Sequence, residues 1–133
     1  MTPDIADTRL GVIRRVADGR PGLELLVLFG SRARGDTTAR SDWDLGYLAD
    51  EAFDAQALLA DLAVSLATDR VDLVDLARAG AQLRFRAARD GVPVHAADAE
   101  AFRRFWLEAV SFWCEAGPTI RAGYGEVLAD LER

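Results

Sequence analysis

The sequence predicts an α/β fold, and two observations lead to that prediction. Short apolar runs with the length of buried strands alternate along the chain with longer segments whose apolar residues recur at helical spacing. Half of the 133 residues are hydrophobic, which is enough apolar material for one core in a domain of this length. Because helices and strands are interleaved, we predict a single α/β domain over residues 1–133.

The first two predicted elements are a helix and a buried strand. Thr2-Pro3 has the residue types that favour a helix start, and apolar residues recur at helical spacing as far as Val16. The glycine- and proline-containing segment 19–22 ends this helix. Residues 23–29 are nearly all apolar and run into Gly30-Ser31, which predicts a buried strand followed by a turn.

The middle of the chain predicts two further strands with a helix between them. The polar segment 31–41 can form a helical turn and a loop. Residues 43–48 alternate well enough to form the second strand, and residues 53–66 show the apolar spacing of an amphipathic helix. Residues 71–76 form the third predicted strand.

The last part of the chain is predicted to be mainly helical. A helix at 82–89 ends at Gly91, and residues 92–94 form a short extended piece. C-terminal helices occupy about 98–132, interrupted by Gly117-Pro118. Aromatic residues at helical spacing in the first of these helices predict core packing.

That aromatic helix also carries a second set of apolar residues, Leu107, Val110 and Cys114, so part of it is a candidate partner surface. Cys114 is expected to be a small buried hydrophobe. As the only cysteine it cannot form an internal disulfide, which suits a reducing compartment and predicts a cytoplasmic protein.

Composition excludes several classes of protein. The net charge of −6 disfavours direct nucleic-acid binding through a basic face. All 16 basic residues are arginine, so a phosphate loop or a Schiff-base mechanism that needs lysine is excluded. No stretch approaches the roughly 20 apolar residues of a membrane span, and the N-terminus shows no signal-peptide pattern.

The turn at Gly30-Ser31 is a candidate anion site. A turn from a strand into a helix points free backbone N–H groups at one spot, where the helix dipole also favours an anion. Glycine lets the backbone approach a phosphate closely, and the serine hydroxyl adds a donor. These residues predict a phosphate-binding turn.

Three aspartates make a candidate metal site. Asp42 and Asp44 lie two apart at the start of the second predicted strand, so their carboxylates share a face and repel unless a cation lies between them. Mg²⁺ prefers such hard oxygen ligands together with substrate phosphates. Asp72, flanked by apolar residues in the next strand, could complete a two-metal site. Asp75 competes for this role, but it lies nearer the strand end and faces the opposite side.

Ten residues lie between Ser31 and Asp42. This spacing, with the segments Gly30-Ser31-Arg32-Ala33-Arg34-Gly35 and Ser41-Asp42-Trp43-Asp44-Leu45, resembles the signature of MNT-type minimal nucleotidyltransferases of the DNA polymerase β superfamily. Residues 71–76 are similar to the family's third-carboxylate strand, and the resemblance covers roughly residues 5–98. It implies a small mixed β-sheet flanked by helices, the nucleotidyltransferase fold, with C-terminal helices.

The resemblance also implies an activity. Members of the family transfer a nucleoside monophosphate to a hydroxyl, and MNT proteins are typically antitoxins of HEPN ribonuclease toxins, several of which they AMPylate on a tyrosine. It implies ATP as substrate, two Mg²⁺ ions held by Asp42, Asp44 and Asp72, and proton removal from the acceptor by Asp72. Gly30 and Ser31 would hold the β- and γ-phosphates.

Arg32 stands where the family often has an aromatic or apolar residue, so it is either a phosphate contact or a solvated side chain. Three other functions remain open: a small-molecule nucleotidyltransferase, which would usually need an added helical domain; an antitoxin that acts by binding alone; and an RNA-tailing enzyme, which the acidic charge disfavours. We also expect an oligomer with the partner.

Overall fold

The computed structural model describes the backbone of residues 5–34 and 42–115 and the side chains of 8–30, 32–33 and 42–115. Its elements are α1 (Ile5–Ala17), β1 (Leu23–Phe29), α2 (Ser31–Arg34), β2 (Trp43–Ala49), α3 (Ala55–Leu66), β3 (Val71–Asp75), α4 (Ala81–Asp90), β4 (Val92–Ala96) and the helical segment α5 (101–115). The predicted α/β class is confirmed. The predicted helix start at Thr2-Pro3, the loop at 35–41 and the helix beyond Gly117-Pro118 lie outside the described residues, and the single-domain organisation stays a prediction.

The four strands form one mixed sheet in the order β3-β2-β1-β4. β1 pairs antiparallel with both β2 and β4, whereas β2 and β3 are parallel and are connected through α3. The register places Phe29 opposite Asp44 and Asp44 opposite Asp72. The extended piece predicted at 92–94 is a strand that continues to Ala96. The sheet confirms the predicted fold class.

The two faces of the sheet pack against different helices, because successive side chains of a strand point to opposite sides. α1 and α3 cover one side, the α3 face, and α4 and α5 cover the other, the α4 face. Buried residues on the α3 face include Ile13, Leu26, Leu28, Trp43, Leu45, Leu58 and Leu62. Buried residues on the α4 face include Leu25, Val27, Phe29, Leu76, Ala87, Ala88 and Phe105.

The helix predicted from residue 98 begins a few residues later, at 101. Asp98 stays outside the helix, and its carboxylate accepts a hydrogen bond from the Glu100 backbone N–H at 2.9 Å. The same carboxylate pairs with Arg104, which lowers the pKa of Asp98. An aspartate that bonds the backbone of the first turn favours the position before a helix rather than inside it.

The prediction that the aromatic stripe of α5 forms core is confirmed for Phe105 and Trp113, which are buried, and Trp113 stacks on Phe85 of α4 at 5.0 Å. It is wrong for Trp106 and Phe112, which are exposed. The expectation that Cys114 is buried is wrong, because Cys114 is exposed. Leu107 is also exposed, and both lie on the outer side of α5. Within the described residues, none of the helices has the length and apolar character that a bilayer crossing requires.

Candidate active site

The parallel pairing of β2 with β3 brings two of the predicted carboxylates together. Asp44 and Asp72 are direct partners in the register, so both side chains project from the α4 face at the same level. They line one cavity of about 340 Å³ between this end of the sheet and α4. Its other lining residues are Phe29, Leu73, Val74, Leu83 and Arg86.

The two carboxylates differ in burial. Asp44 is half-buried in the inner strand β2, whereas Asp72 is exposed. The apolar neighbours of Asp72 suggest a buried strand, but Asp72 is exposed because β3 is an edge strand and Asp72 lies near its start. The reason to expect a cation beside Asp72 is its nearness to a second carboxylate rather than its own desolvation.

Asp75, the competing third carboxylate, lies on the other side of β3. It is paired in the register with Tyr47, which packs against the α3-face core. Its carboxylate accepts a hydrogen bond from the Ala77 N–H at 2.9 Å and lies 3.7 Å from Arg78 Nε. Asp75 lines a different cavity, which Arg78 also lines, so β3 separates it from Asp44 and Asp72.

The turn after β1 is built directly against Asp44. Gly30 has a positive φ of 76°, and a Cβ at this position would overlap Oδ2 of Asp44. Only glycine combines this backbone conformation with such a close approach. The sequence predicts that a helix dipole favours an anion here, but the helix that follows has only four residues, so its dipole contributes little. The backbone N–H groups of the turn would be the main donors to an anion. The Ser31 side chain lies outside the described part of the chain.

Asp42 does not join the other two carboxylates in this structure. It is exposed just before β2, and its Oδ1 lies 3.9 Å from Nη1 of Arg70. Among the described residues, no group of three or more histidine, cysteine or acidic side chains is close enough to hold a metal ion. The structure therefore brings Asp44 and Asp72 together in one cavity, and it places Asp42 at the surface, two residues before Asp44.

Arg32 lies on the aromatic ring between the two motif aspartates. Its guanidinium carbon is 4.0 Å from the ring centroid of Trp43, a buried residue of the α3-face core. Burial and the nearby Arg9 lower the pKa of Arg32, although an arginine stays charged. Arg32 is half-buried on Trp43, so its side chain is only partly solvated, and a role as a phosphate contact stays a prediction.

Arg86 is the lining residue that sequence reasoning missed. It follows Leu83 by three positions in α4, so the two side chains share a helix face, and both reach the cavity. The only signal in the sequence was this spacing within an amphipathic helix. It did not reveal that this face of α4 lies against the cavity that contains Asp44 and Asp72.

Known proteins match this chain in sequence and in structure. The family described as "Polymerase beta, Nucleotidyltransferase" matches residues 12–100. The chain is 32% identical over 116 residues to "Protein adenylyltransferase MntA" of Aphanizomenon flos-aquae (strain 2012/KM1/D3), with 77% of this chain and 76% of that protein covered.

Solved structures of toxin–antitoxin complexes share the fold. A chain of a toxin–antitoxin crystal structure with AMP-PNP matches with a TM-score of 0.70 and 26% identity over 93% of this chain and 98% of that chain. A chain from the structure of the tri-AMPylated Shewanella oneidensis HEPN toxin in complex with MNT antitoxin matches with a TM-score of 0.65 and 24% identity, over 97% of this chain and 100% of that chain. The resemblance found in the sequence is confirmed, and this chain belongs to the polymerase β nucleotidyltransferase family.

Proposed function

We propose that this chain is a protein adenylyltransferase that moves AMP from ATP to a hydroxyl group of a HEPN-type toxin and thereby acts as its antitoxin. The observation that carries the proposal is the pairing of Asp44 with Asp72 across adjacent strands, beside the glycine turn at Gly30. The similarity to a protein named an adenylyltransferase and to toxin–antitoxin complexes supports the acceptor class. A cytoplasmic location would provide ATP.

The carboxylates fit Mg²⁺ by their chemistry. Asp44 and Asp72 present hard oxygen ligands on one face of the sheet, at one level of the register. Asp42 would be the third ligand, and its long surface contact with Arg70 costs at most about 1 kcal/mol to give up. Two bound ions would neutralise charge on the phosphates.

The residues of the chain would then position the reactants. In our proposal the backbone of Gly30 and Ser31 holds the β- and γ-phosphates, and Asp72 accepts the proton of the acceptor hydroxyl. The acceptor oxygen forms a bond to the α-phosphorus while the bond from that phosphorus to the bridging oxygen breaks, and pyrophosphate leaves in line. Arg32, stacked on Trp43, would stabilise the start of α2 next to this turn.

A double substitution tests the proposal. Asp42→Asn with Asp44→Asn removes two proposed metal ligands and keeps side-chain size, so the fold and any docking surface should survive. Wild-type protein with ATP and Mg²⁺ should add AMP to the toxin, seen by mass spectrometry, and protect cells. The double variant should still bind the toxin but neither modify it nor protect.

A matched control removes two carboxylates at the other end of β2. Asp50→Asn with Glu51→Gln changes the same charge at exposed positions, away from Asp44 and Asp72. This control should modify the toxin like the wild type. Full protection by the folded Asp42/Asp44 variant would instead show that the antitoxin works by binding alone.

A further inference from the structure

The three arginines of α4 point to three different surroundings. Nη2 of Arg84 lies 4.0 Å from Oε2 of Glu108, and its guanidinium carbon lies 5.2 Å from the ring centroid of Phe112, so Arg84 faces α5. Nη2 of Arg89 lies 2.8 Å from the carboxylate of its neighbour Asp90. Arg86 alone of the three lines the cavity that contains the carboxylate pair. Its placement therefore needs a separate explanation.

The position of Arg86 is fixed by the helix that carries it. Ala87 and Ala88 are buried in the α4-face core, which anchors this turn of α4 against β1. Arg86 itself is half-buried at the edge of that contact. Within the described part of the chain, no acidic side chain forms an ion pair with it. A half-buried guanidinium held by the backbone in this way is preorganised for an anion that enters the cavity.

Side chains of opposite charge therefore line the cavity from opposite sides. Asp44 and Asp72 project from the sheet, and Arg86 projects from α4 into the same space of about 340 Å³. The four remaining lining residues, Phe29, Leu73, Val74 and Leu83, are apolar, and this apolar surface next to the charged groups strengthens their electrostatic contacts with a ligand. A phosphate placed there, with cations on the carboxylate side, would also meet a guanidinium on the helix side.

We infer that Arg86 binds the α-phosphate of the nucleotide. This inference rests on the proposed function, in which the β- and γ-phosphates lie at the Gly30 turn and the transferred phosphate lies at the carboxylates. Arg86 lines the carboxylate cavity, so the phosphate it meets is the transferred one. A guanidinium can donate two parallel hydrogen bonds to one phosphate, which Lys cannot reproduce.

The test measures binding, not transfer, with Arg86→Gln, Arg86→Lys and the control Arg78→Gln. Arg78 is a highly exposed arginine beside Asp75, outside the carboxylate cavity, so the control removes the same charge. Each protein is titrated calorimetrically with AMP, ADP, ATP and adenosine in the presence of Mg²⁺. Thermal melting checks that every variant is folded.

Arg86→Gln should weaken the binding of AMP, ADP and ATP by a similar factor, roughly ten- to a hundred-fold. All three ligands carry the α-phosphate, which loses its charged hydrogen-bond donor in this variant. Adenosine affinity should not change. Arg86→Lys should recover only part of the loss, and Arg78→Gln should match the wild type for all four ligands.

Three results would overturn the inference. A loss confined to ATP would place Arg86 at the γ-phosphate, an equal loss for adenosine would indicate a structural role, and unchanged affinities would remove Arg86 from the nucleotide site. None of these depends on the acceptor. If wild-type protein binds ATP as expected but never modifies a HEPN toxin, the proposed function fails while the role of Arg86 stands.

Discussion

The two faces of the sheet are formed by the same strands, but they are packed differently near the start of β2. On the α3 face, apolar side chains fill the space up to the start of β2, where Trp43 is 1% exposed. On the α4 face the packing stops earlier, and Asp44 borders an open cavity. Trp43 and Asp44 are neighbours in sequence. Strand alternation alone thus assigns one to the core and the other to the chemistry.

β3 repeats this contrast within five residues. Asp72 lies on the cavity side opposite Asp44, whereas Asp75 lies on the other side and bonds the backbone at Ala77. Both are aspartates with apolar neighbours, so their types do not distinguish them. The face of the strand on which each carboxylate lies therefore decides its role.

The largest effect is expected for substitution of Asp72, with Asp75 on the opposite face of β3 as its comparison. Asp72→Asn should lower AMP transfer about a thousand-fold, because loss of a metal-binding carboxylate removes several kcal/mol of transition-state stabilisation. Asp75→Asn should change the rate less than about threefold, since asparagine can still accept the hydrogen bond from Ala77. Single-turnover rates of toxin modification at saturating ATP measure both.

Thermal melting serves as the control for this pair and should show both variants folded. Equal losses of activity would mean that the face of β3 does not separate the two roles. The reverse ranking would move the catalytic carboxylate to Asp75 and to the cavity that it lines with Arg78.

Most of the fold, and the pair of carboxylates, follow from local sequence patterns. Strand alternation fixes the face of Asp44 and of Asp72, and the resemblance implied that their strands are neighbours. The exposure of Asp72 could not be predicted from these patterns. Its apolar neighbours suggest an inner strand, but the place of β3 at the edge depends on the order in which all four strands pair.

Arg86 and Cys114 show the same limit for helices. Helical spacing groups Arg86 with Leu83, yet only the packing of α4 on β1 determines that this face meets the carboxylates. Cys114 follows the buried Trp113 by one position, which turns it to the outer side of α5. An apolar residue type alone gave the wrong burial.

The second largest effect is expected at Gly30, in the turn between β1 and α2. Gly30→Ala should cost about 1–3 kcal/mol of stability, because alanine is strained at a φ of 76°. It should also lower AMP transfer at least tenfold, since the new Cβ displaces the carboxylate of Asp44. Denaturant unfolding and transfer rates measure the two losses separately.

Gly19→Ala is the matched control for that substitution. Gly19 has a similar φ of 79°, but a Cβ there meets no atom within 4 Å. It should lose about 1–2 kcal/mol of stability through backbone strain alone and keep its transfer rate. If both variants lose activity equally, general destabilisation explains the effect, and the contact between Gly30 and Asp44 has no special role.

A smaller effect is expected for Arg32, which lies on the α3-face residue Trp43. Arg32→Gln should lower stability by about 1 kcal/mol through loss of the cation–π contact and change ATP affinity less than about threefold. Arg9→Gln, whose guanidinium carbon is 6.0 Å from the same ring centroid, should lose less stability. A tenfold drop in ATP affinity for Arg32→Gln would instead make Arg32 a phosphate contact.

The smallest effect is expected on the outer side of α5, far from the contrast between the two sheet faces. Cys114→Ala should change stability by no more than about 0.5 kcal/mol, because the thiol is exposed and alanine favours a helix. The neighbouring Trp113→Ala should cost about 3–5 kcal/mol, since it removes a buried ring stacked on Phe85. Denaturant unfolding of both variants checks this difference, and AMP transfer by Cys114→Ala should equal that of the wild type. A folded Cys114→Ala variant that lost transfer would show that this side of α5 takes part in acceptor recognition, and the chemistry would then extend beyond the carboxylate cavity.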